Sequence, residues 1–476
     1  MKVLFAAAEM SPLAKVGGLG DVAGSLPRAL RADGSDVRVA MPFYATIDRT
    51  KAAARCIVER VDVPSVAGSE TASIWRADVR GVPVYLVENE RFFGRERVYG
   101  FDDDIDRFLF FCDALLAAAP QLDFAPDVVH AQDWHSALLL TRLAGGSERP
   151  WSRAGRVYTI HNLALRGDFK LEWAALHGID ASLLMPPGGL APEVALSAMA
   201  QGIMHADRVN TVSVTYAKEI LTPEYGAGLD PLLRERGAAV SGIVNGIDDE
   251  EFDPRTDPAL AAHYDVDSLD ARAENKRALQ REAGLPGDDA SLLFGVVTRL
   301  FAQKGIDLVA DAFGELLASR NVQLVVLGTG DEDVHRMLQA LEARYPRNVK
   351  IWLDFNPPLG QRVYGGCDSF LMPSRYEPCG LGQLISLRYG AIPLVRRTGG
   401  LADTVRDAET GFVFDAANAT ELRRACERAI ATFEQPDGWR AMQERGMRQD
   451  WSWGTAARKY ASLYDAAISV RNAGIA

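Results

Sequence analysis

Five short segments of the sequence place charged or polar residues after an apolar run. They cover residues 15–21 (KVGGLGD), 159–162 (TIHN), 298–305 (TRLFAQKG), 374–381 (SRYEPCGL) and 396–403 (RRTGGLAD). In open α/β sheets, ligands bind where strands give way to loops, so these positions predict a binding site. Four of the five segments combine glycine with lysine or arginine, which favours an anionic ligand, and three of them also carry an acidic residue.

Residues 298–305 are typical of a diphosphate site. Arg299 offers a forked guanidinium and Lys304 offers a point charge, and both lie close to the start of a predicted helix. A helix N-terminus adds the positive end of its dipole. The alternative is a basic turn that is simply exposed to solvent, and the residues alone leave it open.

The segments 374–381 and 396–403 add groups that suit a sugar and a phosphate. Glu377 can accept hydrogen bonds from sugar hydroxyls, while the backbone amides near Gly380 and Gly400 can bind phosphate oxygens. Cys379 has no base partner in the sequence. Packing or substrate contact is therefore favoured over nucleophilic catalysis for this thiol.

The two segments in the first half of the chain suit the same kind of ligand. Lys15 and the glycines after it precede a predicted helix, which lets N–H groups approach an anion. A tight turn without a ligand is the alternative. His161 follows a predicted strand, and Asn162 can hold it by hydrogen bonding, which favours a site over a purely structural histidine.

Several common catalytic motifs do not occur in the sequence. It contains no GxxxxGK(S/T) phosphate loop, no GxGxxG dinucleotide loop, no GxSxG nucleophile elbow and no HExxH zinc motif. Gly328 and Gly330 are followed by Asp331 and Glu332, which repel a pyrophosphate. Kinase, nicotinamide-dependent, serine hydrolase and zinc protease functions are therefore disfavoured.

Short apolar runs that predict β-strands alternate with helical patterns along the chain. They cover residues 3–8, 37–41, 84–87, 128–129, 157–160 and 209–212 in the first half, and residues 292–297, 322–327, 349–352, 370–372 and 392–395 in the second. Runs that are apolar on both faces and separated by helices indicate parallel sheets covered on both sides. Residues 105–116 carry apolar side chains at spacings of three and four, which predicts an amphipathic helix. The predicted fold class is α/β, in two halves.

The boundary between the halves is expected near residues 241–246. The stretch from 248 to 289 is rich in aspartate, alanine and proline and shows little periodicity. We therefore predict an N-terminal domain of residues 1–241, a second domain of residues 242–454, and a terminal helix over residues 455–476. A length of 476 residues fits two large domains, which commonly enclose a cleft.

The composition disfavours several classes of partner. Lysine and arginine number 52 against 64 acidic residues, a net charge of -12, so nucleic acid and anionic membranes are not expected as partners. Five scattered cysteines fit reduced thiols. The apolar N-terminal run is too short for a signal peptide, and no run of about 18 apolar residues can span a membrane. A cytoplasmic protein is expected.

Taken together, the motifs resemble those of the family that contains bacterial glycogen synthases and plant starch synthases. The shared pattern comprises KxGGL from Lys15, Ile-His-Asn at 160–162, RxxxQKG from Arg299, SRYEPCGL at 374–381 and RTGGLADTV at 397–405. The likeness covers nearly the whole chain in the right order. It implies two Rossmann-like domains that face each other across a cleft, the GT-B arrangement, with the terminal helix crossing back to the first domain.

The resemblance also implies an activity. It implies a hexosyltransferase of glycogen biosynthesis that moves glucose from ADP-glucose to the non-reducing end of an α-1,4-glucan, with retention of anomeric configuration. Neither a metal ion nor a cofactor is expected. Two alternatives are a retaining transferase that uses UDP-glucose and a non-catalytic, glucan-binding homologue. The second is disfavoured because all four catalytic positions are retained.

Those four positions match family motifs. By resemblance, Arg299 and Lys304 stabilise the departing diphosphate, Glu377 holds sugar hydroxyls, and His161 contacts the glucosyl group through its backbone carbonyl or its ring. The acceptor glucan is expected beside Glu9, Asp133 and Trp134. Further substrate-binding positions implied by the resemblance are Lys15, Gly17, Gly18, Asp21, Asn162, Asn245, Phe355, Cys379, Gly380, Leu381, Thr398, Gly399 and Gly400.

The sequence departs from the family pattern at several positions. Val16 and Gly382 each replace a usual threonine, and Gln132 replaces a common histidine. Ile385 stands where many GT-B enzymes carry a glutamate that binds ribose, so ribose recognition is expected from other residues. Phe355 occupies the place of an aromatic residue that lies against adenine in relatives.

Overall fold

The computed structural model describes residues 1–66, 68–146, 149–184 and 196–475. The chain divides into two compact units. Unit 1 comprises Met1–Gly246 together with Trp453–Ala476, and unit 2 comprises Ile247–Ser452. Unit 1 is therefore built from two stretches that are distant in the sequence.

Unit 1 contains a nine-stranded sheet in the order β3-β4-β5-β2-β1-β6-β7-β8-β9. Its strands are β1 Lys2–Ala6, β2 Asp36–Pro42, β3 Arg55–Ser65, β4 Gly68–Val79, β5 Val82–Glu88, β6 Val128–Gln132, β7 Gly155–Ile160, β8 Arg208–Thr211 and β9 Val240–Gly242. From β5 to β9 the neighbours are parallel, and β3, β4 and β5 pair antiparallel. The sheet order changes direction between β1 and β6, so their carboxyl ends form a switch point where ligands commonly bind.

Helices of unit 1 cover the sheet. They are α1 Gly18–Ala32, α2 Glu90–Phe93, α3 Asp104–Ala118, α4 Asp133–Ala144, α5 Leu171–Leu176, α6 Ala198–His205, α7 Val214–Glu219 and α8 Asp230–Arg236. In α1, Val22, Leu26 and Leu30 recur every four residues and are fully buried, as the amphipathic pattern requires. Gly34, with a φ of 93°, lies just beyond its end.

Unit 2 contains a six-stranded, wholly parallel sheet in the order β12-β11-β10-β13-β14-β15. Its strands are β10 Leu292–Val297, β11 Val322–Leu327, β12 Val349–Trp352, β13 Ser369–Met372, β14 Ile392–Arg396 and β15 Phe412–Phe414. Its helices are α9 Arg272–Glu282, α10 Ile306–Ser319, α11 Glu332–Arg344, α12 Pro357–Gly366, α13 Gly382–Arg388, α14 Gly399–Thr404, α15 Ala419–Phe433 and α16 Pro436–Met447. The switch point here lies between β10 and β13.

A long helix after unit 2, α17 Trp453–Ile475, belongs to unit 1 and packs on α1 and β7. Tyr460 and Tyr464 are fully buried there. The Tyr464 hydroxyl lies 2.9 Å from His130 Nδ1, and the amide nitrogen of Asn210 donates to the Tyr460 hydroxyl at 3.1 Å. Apolar packing and buried hydrogen bonds thus hold α17 on the sheet of unit 1.

The predicted α/β class and the parallel arrangement of the apolar runs are confirmed. The antiparallel pair β3 and β4 was not predicted, although Val58, Val61 and Val63 are buried among exposed polar residues, a pattern typical of a strand with one wet face. The stretch from 248 to 289, expected to be irregular, contains the helix α9. Only part of that helix is buried, and its surface is rich in charge, which hides its periodicity.

Candidate active site

In unit 2, the chemistry-bearing loops follow three adjacent strands. β10 pairs with β13, and β13 pairs with β14, all in parallel. The loop after β10 carries Arg299 and Lys304, the loop after β13 carries Glu377, and the loop after β14 carries Thr398. Since the carboxyl ends of parallel strands lie at the same edge of the sheet, the fold collects these side chains at the switch point.

Lys304 and Glu377 form an ion pair in this edge. Lys304 Nζ donates to Glu377 Oε2 at 2.5 Å, and Ser374 Oγ donates to the same oxygen at 3.0 Å. The exposed fractions of the two charged side chains are only 15% and 7%. Glu377 therefore orients the ammonium group, and its Oε1 accepts no hydrogen bond among the described residues.

Arg299 lies in the loop that carries Lys304 and is exposed. Its guanidinium is 5.7 Å from the ring centroid of Phe301 and forms no ion pair among the described residues. Arg375, by contrast, makes two hydrogen bonds to Asp307 at 2.8 and 2.6 Å. Of these two arginines, Arg299 is the one whose charge is available to an anion.

Gly399 and Gly400 pack directly against the backbone of the Glu377 loop. Gly399 has a φ of 44°, and a Cβ there would overlap the carbonyl oxygen of Glu377, while a Cβ at Gly400 would overlap that of Cys379. The Gly400 N–H donates to the Glu377 carbonyl oxygen at 3.1 Å. This amide, which the sequence suggested as a phosphate ligand, instead joins the loops after β13 and β14. Thr398, buried beside these glycines, is the N-cap residue of α14.

Residues 380–382 keep their backbone amides available. Gly380 has a φ of 73°, and no described group accepts a hydrogen bond from the N–H of Gly380, Leu381 or Gly382. The buried Gln383 donates from its amide nitrogen to the carbonyl oxygens of Cys379 at 3.1 Å and Gly380 at 2.9 Å. Gln383 thus turns the carbonyls inward. Sequence reasoning missed it, because only its polar type within a buried helix marks it.

The departures from the family pattern in unit 2 have physical reasons. A Cβ at Gly382 would lie 2.9 Å from the ring of Phe370, so the aromatic side chain leaves little room for a threonine. Ile385 is buried and packs in the core beside Phe370. Phe355, just beyond β12, is 79% exposed, a large apolar ring open to stacking.

In unit 1, the carboxylate of Glu9 holds the loop before α1. It accepts hydrogen bonds from the N–H groups of Val16 and Gly17, the latter at 2.9 Å, and from the Tyr99 hydroxyl at 3.3 Å. Burial raises the pKa of Glu9, while the two backbone N–H groups lower it in part. Glu9, predicted to lie beside the acceptor, is thus engaged in shaping the glycine loop.

The glycine loop itself ends at the N-terminus of α1. Gly17 is its N-cap residue, and no described group accepts from the N–H of Gly18. Lys15 Nζ lies 2.6 Å from Asp21 Oδ1 on the first turn of the helix. Two residues that the sequence assigned to the donor are therefore paired with each other, beside a free helix amide.

His161 is held by Gln132, the last residue of β6, and by Asp133, which follows it. Asp133 Oδ1 accepts from the backbone N–H of His161 at 2.7 Å and of Asn162 at 3.3 Å. Gln132 Oε1 lies 2.8 Å from His161 Nε2. The expectation that Asn162 holds the histidine is wrong, because Asn162 Oδ1 accepts from the N–H of Ala164 at 3.1 Å.

Burial sets the protonation of this cluster. It lowers the pKa of His161 to about 3, so the ring is neutral. It raises the pKa of Asp133 to about 7, against the lowering effect of the N–H groups of His161 and Asn162. Asp133 has a φ of 52°, an unusual conformation for a residue other than glycine, and it starts α4. Such a strained, titratable residue is typical of a functional site.

The remaining predicted residues of unit 1 are partly or fully enclosed. Trp134 packs edge-on against Phe108, and Gly167 lies so close that a Cβ would overlap the indole ring. Asn245 is buried, and its side-chain oxygen has no hydrogen-bond partner among the described residues. An unpaired buried amide oxygen is costly, and the predicted contact of Asn245 with the donor stays a prediction.

Other kinds of site find no support in the described residues. Within them, no group of three or more histidine, cysteine, aspartate and glutamate side chains is placed to hold a metal ion. None of the described helices is both long and apolar enough to cross a membrane. None of the five cysteines forms a disulfide bond.

Comparison with known proteins finds similarity over almost the whole chain. The family model described as starch synthase catalytic domain matches residues 2–235, and that of glycosyl transferases group 1 matches residues 276–442. One similar relative is a glycogen synthase of Syntrophotalea carbinolica, which is 42% identical over 99% of this chain and 100% of the relative. Another is a glycogen synthase of Moorella thermoacetica, which is 43% identical over 100% of this chain and 98% of the relative. A similar solved structure is the catalytic domain of starch synthase IV from Arabidopsis thaliana bound to ADP and acarbose, with 32% identity and a TM-score of 0.90 over 98% of this chain and 99% of that one.

Proposed function

Because the chain belongs to the glycogen and starch synthase family of glycosyltransferases, we propose that it transfers glucose from ADP-glucose to the non-reducing end of an α-1,4-glucan, with retention of anomeric configuration. The observation that carries this proposal is the buried pair of Lys304 and Glu377 in the edge that also carries the unpaired Arg299. Together these residues offer cations for a diphosphate and a carboxylate for a sugar.

The cations act on the charge that develops in the reaction. As the bond between the anomeric carbon and the diphosphate oxygen breaks, negative charge grows on the departing group. Arg299 can meet this charge with a forked guanidinium and Lys304 with an ammonium group already oriented by Glu377. The free amides of residues 380–382 supply further donors for phosphate oxygens.

Glu377 and His161 are proposed to contact the glucosyl group. Glu377 Oε1 is available to accept from a glucosyl hydroxyl, and His161 is neutral because burial lowers its pKa to about 3. In the proposed step, the acceptor 4-hydroxyl oxygen bonds to the anomeric carbon on the face that the diphosphate leaves. Because the new bond forms on the same face as the bond that breaks, configuration is retained, and the hydroxyl proton passes to the departing phosphate oxygen.

Two aromatic side chains are proposed to contact the substrates, one the nucleotide base and the other the glucan. Phe355 suits stacking on adenine because its ring is largely exposed. The acceptor glucan is proposed to lie near Trp134 and Asp133 in unit 1. We place the reaction in the cytoplasm, where free thiols such as the exposed Cys56 stay reduced.

The test is nucleotide release by the purified protein from ADP-glucose and from UDP-glucose, each with and without glycogen. We expect release of ADP that depends on glycogen, together with incorporation of glucose into the polymer. Release of UDP alone would show that the protein is a transferase that uses UDP-glucose as its donor. Silence with both donors, despite measurable binding to glycogen, would overturn the catalytic proposal in favour of a glucan-binding protein.

A further inference from the structure

The side chain of Gln132, the last residue of β6, makes its described hydrogen bond to His161. Its amide oxygen lies 2.8 Å from His161 Nε2, and its side chain is fully buried. The backbone of Gln132 is fixed by Ser136, whose hydroxyl accepts from the Gln132 N–H at 2.6 Å and donates to the Gln132 carbonyl at 2.9 Å. The glutamine is therefore anchored while its amide oxygen is directed at the imidazole.

An amide oxygen accepts hydrogen bonds and never donates them. His161 Nε2 must therefore carry the hydrogen, and Nδ1 keeps its lone pair. We infer that Gln132 is a positioning residue that holds His161 in the neutral tautomer protonated at Nε2, so that Nδ1 accepts a hydrogen bond from a hydroxyl group of the bound sugar. The inference deepens the proposed function and rests on it for the identity of the ligand.

Two features show that the arrangement serves orientation and not stability alone. The amide nitrogen of Gln132 has no hydrogen-bond partner although it is buried, which costs stability that an apolar residue would not lose. Asp133 Oδ1 holds the backbone N–H of the same histidine at 2.7 Å. Ring and backbone of His161 are thus fixed by consecutive residues, which is the degree of control that a substrate contact needs.

Gln132 is the described group that contacts the ring nitrogen of His161, so it determines the tautomer. The titratable side chains near it are Asp133, His130 and His135; Glu9 lies beside Asp133, and Arg107 beside His135. Burial lowers the pKa of His130 and that of His135, so both rings are neutral. The Gln132 amide does not titrate, so its oxygen accepts a hydrogen bond at every pH.

The proposal is tested with two variants of opposite chemistry. Gln132→Leu removes the acceptor, and we expect kcat to fall about tenfold or more at every pH, with a smaller change in KM for ADP-glucose. Gln132→Glu keeps an accepting oxygen and adds a negative charge that favours the imidazolium, which has no lone pair. We expect this variant to approach the activity of the unsubstituted protein at high pH and to lose it, through a new ionisation, as the pH falls.

A matched control is Gln323→Leu in unit 2, which also removes a buried amide that hydrogen bonds to Gln280 and to the Pro286 carbonyl. It is expected to change melting temperature without changing the pH profile. Full kcat in Gln132→Leu, or equal losses at all pH values in both Gln132 variants, would overturn the proposal.

A second measurement does not depend on the enzymatic assay. The ¹⁵N chemical shifts of the histidine rings report which nitrogen carries hydrogen. We expect His161 to be protonated at Nε2 and to become a mixture of tautomers in Gln132→Leu, while the signals of His130 stay unchanged. Protonation at Nδ1 in the unsubstituted protein would refute the inference even if ADP-glucose is the donor. If no donor is turned over while the predicted tautomer is found, the proposed function fails and the role of Gln132 in fixing the ring stands.

Discussion

At residue scale, the two cations of the unit 2 site differ, because Lys304 is held in an ion pair and Arg299 is not. Glu377 neutralises Lys304 in a nearly dry setting, so loss of either partner leaves an unpaired buried charge. Arg299 is exposed and makes no ion pair among the described residues. A substitution at Arg299 therefore tests charge without disturbing the fold, whereas one at Lys304 tests both.

We expect Arg299→Ala to lower turnover of ADP-glucose roughly 100-fold, because a positioned donor to the departing diphosphate is lost. Its melting temperature should match that of the unsubstituted protein. Lys304→Ala should lose at least as much activity and should also melt at a lower temperature. The control is Arg406→Ala, which removes an exposed arginine paired with Glu409. Near-normal turnover of purified Arg299→Ala would contradict the diphosphate assignment.

The same cations predict how activity responds to chelation. If Arg299 and Lys304 supply the positive charge at the diphosphate, saturating EDTA should leave the rate of glycogen-dependent ADP release largely unchanged. The measurement is the initial rate before and after dialysis against EDTA. Complete loss of activity that Mg²⁺ restores would show that a metal ion carries part of this role.

Asp133 makes stability depend on pH. Its pKa rises from 3.8 in the unfolded chain to about 7 in the folded protein because it is buried. Between these values only the folded state holds the proton, so this contribution to stability is present at low pH and is lost as the pH rises towards 7.

Asp133→Asn removes this titration and keeps an oxygen that can accept from His161. We expect the free energy of unfolding of the variant, relative to the unsubstituted protein, to increase from pH 4 to pH 7, with a slope of at most about 1.4 kcal/mol per pH unit. Urea unfolding at several pH values measures this. Asp465→Asn, at an exposed position of α17, serves as the control. Parallel stability curves would contradict the raised pKa.

At the scale of elements, the site of unit 2 depends on how closely two loops approach. The turn that starts α14 touches the backbone of the loop after β13, and Gly399 and Gly400 leave the space for it. A side chain there would displace Glu377 and, through the ion pair, Lys304. The glycines therefore determine the site geometry without touching a ligand through side chains.

We expect Gly399→Ala to destabilise the protein by roughly 2–4 kcal/mol, since it combines a positive φ with an overlap against the Glu377 carbonyl. Gly314→Ala in α10 is the matched control, because nothing lies within 4 Å of its Cβ position and alanine favours helix. Thermal unfolding distinguishes the two. Equal melting temperatures would show that the loops can move apart without cost.

The sequence predicted the strands of unit 2 more completely than the contacts between their side chains. β10, β11 and β12 coincide with the predicted runs 292–297, 322–327 and 349–352, because fully buried parallel strands are apolar on both faces. Lys304 and Glu377 are 73 residues apart and meet only because their strands are neighbours. Gln132 and His161, 29 residues apart, also meet through neighbouring strands. Gln383 binds carbonyl oxygens only three and four residues away, and it was missed because only its polar type within a buried helix marks it. Phe355 and the other assigned ligand contacts stay predictions.

At the scale of the whole molecule, unit 1 is completed by a helix that follows unit 2. α17 places Tyr460 and Tyr464 against the sheet, and Gly155 of β7 leaves only 3.0 Å between its Cβ position and the backbone of Ile468. His130 and Asn210 in the sheet find partners on this helix. Without α17, these polar groups and the apolar surface around them lose their cover.

We therefore expect a fragment of residues 247–452 to fold alone, and one of residues 1–246 to lack a cooperative thermal transition. Addition of residues 453–476, as a peptide or joined by a flexible linker, should restore the transition. Circular dichroism during heating measures this. Independent, cooperative unfolding of residues 1–246 would show that α17 is dispensable to unit 1.

The placement of α17 also orders events during synthesis. A ribosome adding about 5–20 residues per second needs tens of seconds to make unit 2 after the main part of unit 1 has emerged. During that interval the sheet of unit 1 has no α17 to cover it, and the nascent chain presents an apolar surface that chaperones recognise. Unit 2, which is continuous in sequence, can finish folding first, so the N-terminal half of this protein is made first and completed last.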